Sequence, residues 1–128
     1  MAVTYAQNAL RVARMDEVVA AIDAGASAGR LEICSASYAS ILATITLNDP
    51  CGTTGGAGVL TFSGFPKSDT SADNTGTAAI ARIRDSNNND VVTGLTVGTS
   101  GTDIILDSTS ITAGQTVTIN SATITHAT

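Results

Sequence analysis

The chain has 128 residues, enough for one domain with a core of its own. Aromatics make up 3%, Trp is absent and charged residues reach only 13%, about half the share usual for a globular domain. The formal net charge is -5, and the six basic residues (Arg11, Arg14, Arg30, Lys67, Arg82, Arg84) are scattered rather than clustered, which argues against a nucleic-acid partner.

No apolar run is long enough to span a membrane. The opening "MAVTYAQNALRVARMDEVV" places acids and arginines inside the would-be apolar region, so it does not read as a secretory signal, and synthesis in a cytoplasm is the expectation. Twenty Thr and twelve Ser take the place of the missing charges. Strands rich in Thr suit surfaces that neighbours will cover, because burying Thr costs less desolvation than burying Lys or Glu.

Residues 1–25 read as a helix. Thr4 and Gln7 have capping-box spacing, and Gly25 sits where a left-handed residue closes the far end. Val12, Met15, Val19 and Ile22 recur at helical spacing, broadened by Val18, and form the apolar stripe; Arg14 and Glu17 lie away from it. The helix either packs on its own domain or docks on a neighbouring subunit, to which its alanines (Ala6, Ala9, Ala13, Ala20, Ala21) would allow close approach.

From residue 29 to 128 the period is that of strands, and the whole is read as a single domain, 1–128. "RLEI" alternates, "ILATITL" puts Ile41, Ala43, Ile45 and Leu47 on one face, and "VLTFSG" presents Leu60 and Phe62 together. "NDPCGTTGGAG" reads as a loop, since Pro and four glycines suit a sheet interior poorly. "FPKSDTSADNTGT" is the longest irregular stretch and reads as an arm or exposed loop.

"AAIARIRD" and "DVVTGLTV" flank "SNNN" as a hairpin, and "TDIILDS" is a further strand. In "QTVTINSATITHA" the apolar face slips from Val117 and Ile119 to Ala122 and Ile124, which predicts a bulge near Ser121. Short strands joined by turn residues predict a mainly β protein, an antiparallel sandwich or barrel with one N-terminal helix.

Reactive constellations are sparse. "DSNNND" (85–90) starts like a calcium loop, but Asp90 stands where the sharp-turn glycine belongs and Thr96 where the bidentate Glu belongs, so it reads as a turn. Asp69 and Asp73 lie in a polar loop with nothing apolar nearby to raise one pKa, as an acid–base pair requires. His126 has no orienting partner, the serines lack a nucleophile elbow, and "GTTGGAG" lacks the Lys-Ser/Thr ending of a phosphate loop.

Cys34 and Cys51 lack metal spacing and read as small apolar residues, or as one disulfide formed after release from a reducing cell. No catalytic residue, metal, cofactor or small-molecule substrate is expected. Candidates for contact are Arg14 and Glu17 on the helix, Phe65 and Lys67 in the long loop, and Arg82 with Arg84, which leave the same face of one strand. That arginine face either pairs with acids on a neighbouring strand or meets another subunit.

The segments "AIDAGASAGRLEI", "ATITLNDPCG", "GVLTFSGFPKSDTSADNTGTA" and "VGTSGTDIILDSTSITAGQTVTI" resemble small virion proteins of tailed bacteriophages and their prophages. Cys34 departs from the Tyr or other bulky residue expected there. The resemblance spans nearly the whole chain and implies a structural role, most directly that of a head decoration (cement) protein. Such a protein is made in the bacterial host cytoplasm, forms a homotrimer on the outer head surface, and binds the major capsid protein. The nearest rival is a tail, connector or fibre-associated component of the same particle. A rival of another class is a receptor- or carbohydrate-binding module, for which Tyr5, Tyr38, Phe62 and Phe65 are the only aromatics available.

Overall fold

The computed structural model describes residues 8–25, 27–56 and 58–125. Thr4, Gln7, Tyr5, Ala6 and His126 therefore lie outside the described residues, and with them the expected capping box. Helix α1 (Asn8–Ile22) is followed by β1 (Arg30–Cys34), a 3-10 turn (Ala36–Tyr38), β2 (Ile41–Thr46), β3 (Gly52–Gly55) and β4 (Val59–Phe62). Then come β5 (Lys67–Asp69), β6 (Gly76–Thr77), β7 (Ile80–Arg84), β8 (Asp90–Gly98), β9 (Ile104–Leu106), β10 (Ser110–Ile111) and β11 (Val117–Thr125). The protein is mainly β with one helix near the N-terminus, as its patterning predicts.

The main sheet runs β2-β1-β7-β8-β9-β11-β4-β3 and curls into a half-barrel. One side of the long strand β11 carries β5 along Val117–Ile119 and β4 along Thr123–Thr125, while β9 lies on the other. β4 and β5 thus form one broken line, and β2 and β3 form another beside it. The two lines pair as a hairpin at β3–β4 and then fork, β2 joining β1 while β5 stays on β11. The open side of the half-barrel is this fork.

Two departures from the expected antiparallel scheme have local causes. β8 and β9 are parallel, joined by a loop too short for a crossover helix. Asp103 folds that loop back by accepting hydrogen bonds from the Thr96 N–H and Oγ1, both at 3.1 Å. "GTTG", read from sequence as loop, is strand β3. It tolerates glycine because it sits at the sheet edge, and Gly52 is needed there, since a Cβ would come within 2.3 Å of the Thr61 carbonyl oxygen. The predicted bulge in β11 falls between Ile119 and Ser121.

The inner face is aliphatic. Leu31, Ile33, Leu60, Ile83, Ile104 and Ile119 are fully buried, and Met15 and Ile22 of α1 belong to the same cluster. Burying each such side chain is worth about 1.5–3 kcal/mol, so with few aromatics the core gains through number rather than ring size. α1 lies along β3: Asp16 accepts a hydrogen bond from the Thr54 hydroxyl, and Asp23 accepts the Cys51 N–H at 3.1 Å. Gly25, at φ +99°, lets the chain leave the helix and pass the β7–β8 turn, where a side chain would collide with Ser86.

Candidate interaction surface

The sequence candidates fall in three places: Arg14 and Glu17 on the solvent side of α1, Phe65 in the bend before β5 with Lys67 as the first residue of that strand, and Arg82 with Arg84 on the outer face of β7. On β7 the alternation works as expected, and both guanidinium groups leave the same face. Register then decides their partners. Glu32 of β1 lies directly opposite Arg82, and Asp90 of β8 directly opposite Arg84. Arg82 Nε donates to Glu32 Oε1 at 2.7 Å, and Arg84 Nε to Asp90 Oδ1 at 2.7 Å, with Arg84 Nε also 3.6 Å from Glu32.

The Glu32 side chain keeps only 6% of its surface exposed. It is buried on the outside of the sheet, beneath two arginines. Its hydrogen bond is the main reason the Arg82 guanidinium is held above its ordinary pKa. Tyr38 completes the cluster, its ring centroid 5.3 Å from the Arg82 guanidinium carbon. Both Ser37 (φ 59°) and Tyr38 (φ 58°) occupy the left-handed region, costly for an aromatic residue. That backbone carries the Tyr38 hydroxyl to the Gly94 N–H, which donates to it at 2.7 Å, where the β8 ladder shifts register. Sequence reasoning passed over Glu32 and Tyr38; the alternation of "RLEI" placed Glu32 outward but not under a roof.

The stretch 65–77, read as an arm, turns inward for most of its length. β5 pairs with β11, and its last residue together with those after it latches the free edge of β2. Asp69 accepts the Thr44 N–H at 3.0 Å, the Asp73 N–H donates to the Leu42 carbonyl at 2.8 Å, and Asn74 Nδ2 donates to the Ile41 carbonyl at 2.8 Å. These bonds replace a strand ladder across the fork, because the outward main-chain groups of an edge strand need partners. The two loop carboxylates, Asp69 and Asp73, therefore both engage Thr44, Asp73 by accepting from its hydroxyl at 2.9 Å.

Between β2 and β5 remains a groove of about 300 Å³ lined by Thr44, Thr46, Lys67, Ser68 and Asp69 among others. Lys67 Nζ donates to Asn48 Oδ1 at 2.7 Å at one end of it. Phe65 packs edge-on against Phe62, with ring centroids 6.4 Å apart, and so anchors the bend. Among the described residues, no group of three or more His, Cys, Asp or Glu side chains could hold a metal ion.

The remaining carboxylates are structural as well. Asp85 Oδ1 accepts the N–H groups of Asn87 and Asn89, both at 2.9 Å, which closes the β7–β8 turn with Asn88 left-handed. Those bonds, the Asn89 N–H first, hold its carboxyl below the usual range. Burial raises the Asp23 carboxyl, an effect opposed by the Cys51 N–H it accepts. Cys34 and Cys51 are both buried as free thiols. Burial, reinforced by the Asp23 charge, pushes the Cys51 thiol up to about 12, and burial raises Cys34 as well.

The solvent side of α1 is exposed along most of the helix. Leu10, 42% exposed, is the exposed large hydrophobic residue among those described, and Ala13, Arg14, Glu17, Ala20 and Ala21 are exposed with it. Comparison of the chain with protein-family models, curated proteins and solved structures finds no match.

Proposed function

We propose that this chain is a structural protein of a bacteriophage particle, most specifically a head decoration protein that binds the major capsid protein on the outer head surface and stabilises the shell. The observation that carries the reading is how its few charges are spent. Asp23, Asp69, Asp85 and Asp103 each accept a main-chain N–H, and Glu32 is locked beneath Arg82. Carboxylates committed in this way staple loops to a rigid body and leave a surface of Thr, Ser and Asn that is cheap to cover. Repeated over a lattice, modest contacts from such a body sum to firm attachment. In this reading the half-barrel, with the 65–77 stretch latched onto it, supplies the body, and the exposed face of α1 supplies contacts to capsid protein and to copies of itself, for which a trimer is the expected unit.

The test is to purify particles that encode the chain, count its copies by quantitative mass spectrometry, and locate it by electron microscopy. Hundreds of copies on the outer head support the decoration role. Six or twelve copies at a ring would instead mean a connector or tail component, and absence from particles would overturn the virion reading.

A further inference from the structure

We propose that the groove between β2 and β5 is a binding site for one neutral sugar ring, held on edge by main-chain groups that neither strand has paired. The groove of about 300 Å³ lies at the small end of the range for ligand sites, with room for one sugar residue. Strand register shows which groups face it. On β2, Ile45 and Ala43 pair with Leu31 and Ile33, and the Leu47 N–H donates to the Gly29 carbonyl, so odd-numbered residues turn toward β1. Leu42, Thr44 and Thr46 therefore present their main chain to the other side. The latch takes two of those groups, the Leu42 carbonyl and the Thr44 N–H. The Thr44 carbonyl and both main-chain groups of Thr46 have no partner among the described residues.

The same accounting holds on β5. The Asp107 N–H donates to the Thr118 carbonyl, so Thr118 faces β9, while Val117 and Ile119 turn to their β5 partners Asp69 and Lys67. Ser68, between those two, points its N–H and carbonyl away from β11 and toward β2, again without a partner among the described residues.

The width and chemistry of the gap select the occupant. One carboxylate side chain, that of Asp69, spans it to reach the Thr44 N–H. The strands there are farther apart than the roughly 4.8 Å of a bonded pair, and closer than the roughly 9.6 Å that a third strand between them would need. The occupant is thus thinner than a peptide strand. It must also donate and accept in alternation, because both edges offer N–H and C=O groups together. Thr46 and Thr70 line the groove as well, and a hydroxyl does both. Lys67 and Asp69 bring one charge of each sign, so the groove does not favour an ion of either kind. A hexose ring is neutral, thin on edge and ringed by hydroxyls that donate and accept at once. No aromatic side chain lines the groove, so binding rests on hydrogen bonds and is of millimolar strength. Absence of the protein from phage particles would leave the site untouched.

The experiment is a titration of the isotope-labelled full chain with D-glucose, D-galactose, D-mannose and N-acetyl-D-glucosamine, read by amide shifts in two-dimensional NMR spectra. Glycerol, a polyol without a ring, is the control. Thr46→Pro removes a main-chain donor that lies outside the β1 ladder, which an edge strand tolerates. Thr46→Val removes only an exposed hydroxyl, and stands in should the proline variant fail to fold; dispersed amide spectra report folding. At least one hexose is expected to give saturable shifts at Thr46 and Ser68. Thr46→Pro should weaken that binding by about tenfold and Thr46→Val by about threefold. The proposal is overturned if no hexose gives saturable shifts at those amides, if glycerol reproduces them at equal concentration, or if a folded variant binds as tightly as the parent.

Discussion

Replacing Arg82 with leucine removes the closest partner of a carboxylate that keeps only 6% of its side-chain surface in water. Breaking a buried ion pair from one side costs about 3–5 kcal/mol, because the surviving charge is left desolvated. Here Arg84 Nε stands 3.6 Å from the same Glu32 oxygen and Arg82 itself is 15% exposed, so the lower end applies, about 3 kcal/mol. Removing both charges is the control. In Glu32→Leu/Arg82→Leu nothing buried remains unpaired, and stability should return to within about 1 kcal/mol of the parent. Asp90→Ala cuts an ion pair whose acid is 48% exposed, and should cost no more than about 1 kcal/mol. Urea unfolding, with midpoints compared at constant slope, measures all three. The reasoning fails if Arg82→Leu costs no more than Asp90→Ala, or if the double variant is no more stable than Arg82→Leu.

Other consequences follow from single contacts. The folded-state pKa of Asp85 is depressed, so its contribution is fully present above the unfolded value of about 3.9 and is lost as pH falls through the lower folded value. Denaturation measured between neutral pH and strong acid should show that acid loss, and Asp85→Asn should flatten it; an unchanged profile would contradict the role of the turn. Gly52→Ala should destabilise by about 1–3 kcal/mol because its Cβ meets the Thr61 carbonyl, whereas Gly55→Ala, with open space around its Cβ, should stay within about 0.5 kcal/mol in the same urea assay. Cys34 and Cys51 should resist alkylation at about pH 8 in the native protein and react only on unfolding, since the thiolate is the reactive form and burial withholds it. Rapid native labelling, followed by mass, would refute that.

Much of the secondary structure was legible because it rests on short-range periodicity. The helical stripe Val12–Met15–Val19–Ile22, the β7–β8 hairpin around Asp85–Asn89, and the slip of face at Ser121 each follow from residues a few positions apart. The candidate surface was legible only in part. That Arg82 and Arg84 share a face follows from a period of two, but that Glu32 lies beneath them depends on β1 and β7 being neighbours fifty residues apart in the chain. β3 was misread for the same reason, since its glycines are acceptable only at a sheet edge, and edges are a property of the whole sheet.

The sequence by itself therefore determined a charge-poor, aliphatic, strand-rich chain with one amphipathic helix, because composition and periodicity act locally and survive any arrangement of the pieces. Only the tertiary structure decided that the stretch 65–77 latches the β2 edge instead of reaching outward, that β8 and β9 run parallel, and that a buried carboxylate anchors the outer face of the sheet. Each of those depends on which main-chain and charged groups were left without partners once the half-barrel had curled, and that is known only when distant strands have met.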